Sequence, residues 1–332
     1  MIKVNIQKCA VPIVWIDTSV ISNMTFARSN PSKLQDLQLQ RINNLSQNIK
    51  KASRKGKILC PLASQEMEIW IDRETWLDTI YDLGLGIRCI TPKSIQDKQL
   101  YASIDSYVRS ENEIKLSYLD IFHSDPVDEL YQTLNQPVYV TVRYDHIFGA
   151  EHQKASNKKI LTSLNDQRER NVRRGISYQQ QLKHELIGEL EALLIALRDY
   201  ESGNFEPNDH MNMIFSRTEL LEQLDYLSYR KGENQEISDL IDFYKSPHNA
   251  CIPHTDISAR MFAKIMIDPQ EIKSGDPSDI EHAATMIPYV DLFITDKHWR
   301  TFLRKEGLDN VYKTRICYIG DSGEINSFFD AL

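Results

Sequence analysis

Val14-Trp15-Ile16-Asp17-Thr18-Ser19-Val20-Ile21-Ser22 is the stretch on which the reading of this sequence turns. With Pro12 and Ile13 ahead of it, it opens as a short run of bulky, β-favouring residues without polar alternation, the pattern of a strand buried on both faces. Asp17, Thr18 and Ser19 then supply side chains suited to capping a helix N-terminus. A buried strand running straight into a capped helix is how a parallel α/β unit begins. Moving outward, residues 34–51 place Leu34, Leu37, Ile42, Leu45 and Ile49 at roughly helical spacing. A second apolar run follows at 57–62, then a helix that Ser64 can cap and that includes Glu66, Ile69, Trp70, Trp76 and Ile80. Ile87-Arg88-Cys89-Ile90 is a third strand, closed by Pro92. Strand, helix, strand, helix, strand predicts a parallel sheet with helices packed on it.

The same grammar returns near the C-terminus. A helix pattern covers 279–289, Leu292-Phe293-Ile294-Thr295 reads as a strand ending at Asp296, helix resumes over 299–305, and 315–319 is a last strand. Between the two halves the chain is polar, long and mainly helical in pattern, with its strongest apolar stripe at Leu182, Leu186, Leu190, Leu193, Leu194 and Leu197. Val138–Val142 fits either a strand or the start of a helix. The expected organisation is therefore an α/β domain whose first half is 1–97 and second half 250–332, split by a helical insertion at 98–249.

Composition narrows the class. The chain has 332 residues, 41% hydrophobic and 26% charged, with a net charge of −8. Fifteen Tyr, eleven Phe and four Trp exclude a disordered or low-complexity chain. No apolar run approaches the ~18 residues of a membrane span, and the N-terminus lacks a leader-like cleavage pattern. Five scattered cysteines without a C-x-x-C pair read as free thiols in a reducing, cytoplasmic setting. Net acidity argues against a general nucleic-acid coating protein, yet residues 154–174 carry Lys154, Lys158, Lys159, Arg168, Arg170, Arg173 and Arg174 against only Asp166 and Glu169, a local +5. That run is either a solvated helix face or a phosphate-binding surface, flanked by Tyr144 and Tyr178. His248-x-x-Cys251-x-x-His254 lacks a fourth ligand for zinc, and Leu83-Gly84-Leu85-Gly86 is not a dinucleotide fingerprint.

Ligands of parallel α/β sheets bind beyond the carboxyl ends of the strands. Asp17 and Asp296 are expected there, Glu66 in the first turn after the second strand, and Asp279 at the start of the helix leading to the fourth. Clustered carboxylates repel one another unless a cation neutralises them, and hard oxygen donors select Mg²⁺ or Mn²⁺. Asp17 and Asp279 are also plain candidates for helix caps, and Asp296 for a turn.

The segments around these acids resemble the PIN domain. Residues 14–22 look like its opening strand, acid and helix start. Asp279-Ile280-Glu281-His282-Ala283-Ala284 resembles its D-x-x-H-x-A pattern, 289–297 its fourth strand and last acid, and Pro61-x-x-Ser64-x-Glu66 the place of its second acid. The resemblance covers roughly the first 90 and last 80 residues. It implies a three-layer α/β/α fold with a 3-2-1-4-5 parallel sheet and a Mg²⁺- or Mn²⁺-dependent endoribonuclease. Asp17, Glu66, Asp279 and Asp296 would be its metal-binding acids, and Lys297 with the 154–174 cations its contacts to RNA. Asp291 competes with Asp296, and Asp276 and Glu281 with Asp279. Single-stranded DNA is the other expected substrate, and a non-catalytic RNA- or protein-binding module the other expected role. A protein regulator, such as an antitoxin, and self-association are further expected partners.

Overall fold

The computed structural model describes residues 2–63, 65, 73–136, 150–203 and 210–332. Glu66, the Ser64 cap, Val138–Val142 and Tyr144 lie outside them. Val14, Trp15 and Ile16 form the strand expected of them, and all three are buried. The chain is mixed α/β, mostly helical, with a few short strands. In chain order these are β1 (Lys3–Gln7), β2 (Val14–Ile16), β3 (Glu113–Ser117), β4 (Leu292–Thr295) and β5 (Arg315–Tyr318). β1 pairs with β3, and β2, β4 and β5 form a separate sheet in that order. β4 runs parallel to both neighbours, with Ile16 opposite Ile294 and Ile294 opposite Cys317.

The second and third apolar runs pair without becoming regular strands. Val14 N donates to Leu59 O at 2.8 Å and Leu59 N to Pro12 O at 2.9 Å. Further out, Leu62 N donates to Ile87 O at 2.9 Å and Cys89 N to Leu62 O at 2.8 Å. The Ile13–Leu59 and Leu62–Arg88 bridges are parallel. The backbone segments around Arg88, around 59–62, β2, β4 and β5 thus lie side by side in that order. Pro61 removes one donor from the second run, one reason it bridges at isolated residues.

The chain divides into two compact units. One comprises 6–95, 117–156 and 281–332; the other comprises 1–5, 96–116 and 157–280. Residues 250–280, expected to open the second half of the α/β domain, thus group with the helices.

The α/β unit is built around the parallel strands. Its core joins Val14, Ile16, Leu292, Ile294 and Cys317 from the sheet to Val20, Ile21 and Met24 of the helix Thr18–Ser29 and to Ile42, Leu45 and Ile49 of Asp36–Ser53. Trp76, Leu77 and Ile80 of Arg73–Gly84 and Ile325 and Phe328 of Ser322–Asp330 belong to the same core. Gly84 is required by close approach, because a Cβ there would stand 2.2 Å from the Cys60 carbonyl oxygen. The Leu83–Gly86 motif is thus a helix end packed on the 59–62 segment, followed by a left-handed turn at Leu85 and Gly86.

The second unit is mainly helical, and most of β1 and β3 falls within it. Leu190 and Leu193 of Tyr178–Ser202 are buried with Leu220 and Leu227 of His210–Lys231 and with Leu240 and Phe243 of Ile237–Lys245. Of the leucine stripe, Leu190 and Leu193 are core, and Leu194 and Leu197 pack against them partly buried. Tyr178–Ser202 is well terminated: Ser177 and Gln180 form a capping box, and Gly203 closes it in the left-handed conformation.

Candidate functional site

Asp17 follows β2 directly and starts the helix Thr18–Ser29. Its backbone N donates to Ile294 O at 2.9 Å, extending the β2–β4 ladder by one residue. Its carboxylate is 2% exposed, a placement that is costly for a charge unless hydrogen bonds replace water. They do: Oδ1 accepts from Thr18 N at 2.8 Å, and Oδ2 from Ser19 Oγ at 3.0 Å and Thr295 Oγ1 at 3.4 Å. Buried His282 places Nδ1 3.8 Å from Asp17 Oδ1, and its ring meets Trp15 edge-on at a centroid distance of 5.6 Å. His282 thus stands beside the acid as a packed neighbour, consistent with support of Asp17 and not with an exposed base.

Asp296 follows β4 at the same end of the sheet, one strand over. It N-caps Lys297–Lys305, with Oδ1 accepting from Trp299 N at 2.9 Å. Lys297 and His298, both exposed, open that helix. Ile294 sits opposite Ile16, so Thr295 comes level with Asp17 and spends its hydroxyl on that carboxylate, and Asp296 lies one step beyond.

The other acids are placed differently. Asp279 lies in the first turn of Asp276–Met286, three residues before His282; the division between the units falls within this helix, after Ile280. Asp276 accepts from Lys273 N at 2.8 Å, closing the turn that starts the helix, and Glu281 is exposed. Asp291 enters β4 at its opposite end, about 16 Å along the strand from Asp296 at ~3.3 Å per residue. There it accepts from Ile13 N at 2.8 Å beside the Lys8 ammonium, so it belongs to the amino-terminal edge of the sheet and is not a substitute for Asp296. Glu66 is outside the described residues. Among the described residues, no three His, Cys, Asp or Glu side chains are grouped to hold a metal ion.

The oxygen donors that are present suit a hard divalent cation with few protein ligands. An ionised carboxylate offers about four acceptor positions. Asp17 has three taken by hydrogen bonds, and Asp296 Oδ2 has no partner among the described residues. Mg²⁺ is commonly held by one or two carboxylates, with water and phosphate completing its octahedron. Asp17 and Asp296 supply carboxylates of that kind at one end of the sheet.

The basic segment lies on the helix Ala150–Arg174. Lys158, Lys159, Arg170, Arg173 and Arg174 are exposed; Arg170 bonds Gln167, and Arg173 reaches Glu169 at 2.9 Å. Of Lys154 only the backbone, on this helix, is described. Arg168 corrects the expectation that it contacts nucleic acid. It is 5% exposed, and its Nη1 donates to the carbonyls of Asp268, Pro269 and Gln270 at 3.1, 2.8 and 3.1 Å. Asn165 pairs with both backbone groups of Ile272, and Asn171 donates to Met266 O. Three polar residues at three-residue spacing thus stitch this helix to the loop after Pro253–Ile265. The spacing is legible in the sequence, but a buried arginine cannot be told from an exposed one by charge. Nor do His248 and Cys251 make a metal set: His248 Nε2 is 2.9 Å from Glu111 O, and Cys251 Sγ contacts Ile2 O.

These placements have measurable consequences. Arg168→Ala leaves three carbonyls without their cation and should lower unfolding stability by about 2–3 kcal/mol, whereas exposed Arg173→Ala should change it by under about 0.5 kcal/mol. Denaturant titration of both variants checks the contrast, and equal losses would refute it. A second expectation concerns Lys8, whose Nζ donates to Val290 O at 2.7 Å and whose pKa burial lowers to about 8. The folded chain therefore releases this proton before the unfolded chain does, so stability from this group rises as pH goes from about 8 to the ordinary 10.5. Lys8→Met should remove that rise from the difference between the two pH–stability curves; an identical slope in both would refute the assignment.

Comparison of the chain with protein-family models, with curated proteins and with solved structures found no match in any of the three.

Proposed function

We propose that this chain is a metal-dependent endonuclease of PIN-like, three-layer α/β/α architecture, acting on RNA. The observation that carries the reading is the placement of Asp17 and Asp296 at the carboxyl ends of two adjacent parallel strands. The lateral order of the paired segments supports it as well. Numbered along the chain, 13–16, 59–62, 87–89, β4 and β5 stand as 3-2-1-4-5, the order that the resemblance implies.

In this reading Asp17 and Asp296, with Glu66 and Asp279, hold one or two Mg²⁺ or Mn²⁺ ions. Bound there, such ions supply a water of lowered pKa and neutralise charge on a phosphodiester. The chain's own part is positional. Thr18 N, Ser19 Oγ and Thr295 Oγ1 fix the Asp17 carboxylate in direction, and the Trp299 amide fixes Asp296. Lys297 contributes a cation at the same sheet end, and Lys158, Lys159, Arg170, Arg173 and Arg174, with Lys154, contribute a basic helix for the phosphate backbone. The five free cysteines are consistent with a cytoplasmic setting.

A second reading has one observation in its favour. Asp17 is buried and already accepts three hydrogen bonds, so it serves the fold without a metal. On that reading the chain is a non-catalytic module that holds RNA or a protein partner.

Labelled single-stranded RNA and DNA, each with Mn²⁺, Mg²⁺ or EDTA, separate the readings. Cleavage should need the metal and should drop at least about 100-fold in Asp17→Asn and Asp296→Asn, each of which keeps an N-cap and hence its fold. Cleavage that survives EDTA or either substitution would defeat the nuclease assignment. Binding without cleavage would favour the second reading, and preferential cutting of DNA would replace RNA as the substrate. For the basic helix, replacing Lys158, Lys159, Arg170, Arg173 and Arg174 by Gln should weaken RNA binding and shallow its dependence on log salt concentration, by ~0.7 for each phosphate no longer neutralised. An unchanged slope would retire that surface.

A further inference from the structure

The helices Asp36–Ser53 and Ser322–Asp330 enclose a groove of about 220 Å³ within the α/β unit. Its apolar side is Leu45 and Ile325, both buried, with Ile319. Gln40, Arg41 and Asn44, on the same helix as Leu45, also line it. Among the described residues none of these three side chains has a hydrogen bond or an ion pair. Arg41 is also the only charge among the described residues that line the groove, in a chain of net charge −8. Ile319 and Ser322 of its lining closely follow β5, whose carboxyl end is the end of the sheet that carries Asp17 and Asp296.

We propose that this groove takes one unstacked base of a single-stranded nucleic acid whose backbone passes the Asp17–Asp296 end of the sheet; the proposal rests on the nuclease reading above. Three features select that occupant. The volume is below the ~300–1,000 Å³ of pockets for whole drug-sized ligands, so the guest is a single ring system attached to something larger. Apolar lining residues match a π-face, which every base has. The Gln40 and Asn44 amides each offer donors and an acceptor, the complement of a Watson–Crick edge, and Arg41 suits either the ring face or the adjoining phosphate. The absence of any acid among the described lining residues fits an anionic chain better than a basic peptide.

The test uses the full chain carrying Asp17→Asn, so that bound strands persist, with Gln40→Ala/Asn44→Ala added or not. Both residues are exposed, so the double change should leave the melting temperature unaltered. Fluorescence anisotropy with labelled U, A, C and G homopolymers, as RNA and as DNA, reads affinity. The expected result is a preference among bases in the parent and its loss in the double variant, with about tenfold weaker binding of the favoured homopolymer. Equal affinity for all four homopolymers in the parent, an unchanged preference in the variant, or no binding of any homopolymer would overturn the proposal. Loss of preference together with failure of the chain without Asp17→Asn to cleave any strand would uphold the groove and defeat the nuclease reading. Metal- and Asp17-dependent cleavage with an unchanged preference would do the reverse.

Discussion

A carboxylate buried at the end of a strand is the constraint on which the α/β unit turns. Asp17 closes β2 through its backbone N–H, starts the helix Thr18–Ser29 through Oδ1, and takes the Thr295 hydroxyl of the neighbouring strand through Oδ2. Strand, helix and adjacent strand therefore meet at one side chain. Removing a charge from water is tolerable only where its hydrogen bonds are replaced, so each of these contacts is demanded by the burial of that carboxylate. An apolar residue there would strand two hydroxyls and an amide; asparagine would keep most of the geometry and lose the charge.

That arrangement separates the two ends of the sheet chemically. At the carboxyl end stand Asp17, Asp296 and Lys297, with the helix starts that follow β2 and β4. At the other end Asp291 binds Ile13 N and lies beside Lys8, and desolvation pushes the Asp291 carboxyl above and the Lys8 ammonium below its ordinary range. Both ends hold acids in contact with the strands. They differ in that Asp291 is engaged with the half-buried Lys8 and the Ile13 amide, whereas Asp296 keeps an oxygen with no partner among the described residues. The same contrast divides the basic helix, where Arg168 is committed to three carbonyls and Arg170, Arg173 and Arg174 face solvent.

Much of the fold was legible because its signals are local. The strand at Leu292–Thr295 falls where an unbroken apolar run ending in Asp296 places it, and the helix Tyr178–Ser202 where its leucines do. Helix starts shifted by two or three residues, to Lys297 and Asp276, because caps and first turns carry no apolar stripe to mark them. The runs at 59–62 and 87–90 pair at isolated residues, since strand regularity depends on neighbours distant in sequence.

By itself the sequence determined the alternation of buried runs and amphipathic helices, the helical character of the middle stretch, and which acids follow strands, because burial periodicity and capping chemistry are written within a few residues. Only the tertiary structure decided that Asp17 and Asp296 stand on adjacent strands while Asp291 stands at the far end, that Thr295 serves Asp17, and that Arg168 is a buried staple. Those outcomes depend on register between β2 and β4 and on which helix face meets a partner. Both are set by packing between residues about one hundred positions apart or more, and no local pattern encodes them.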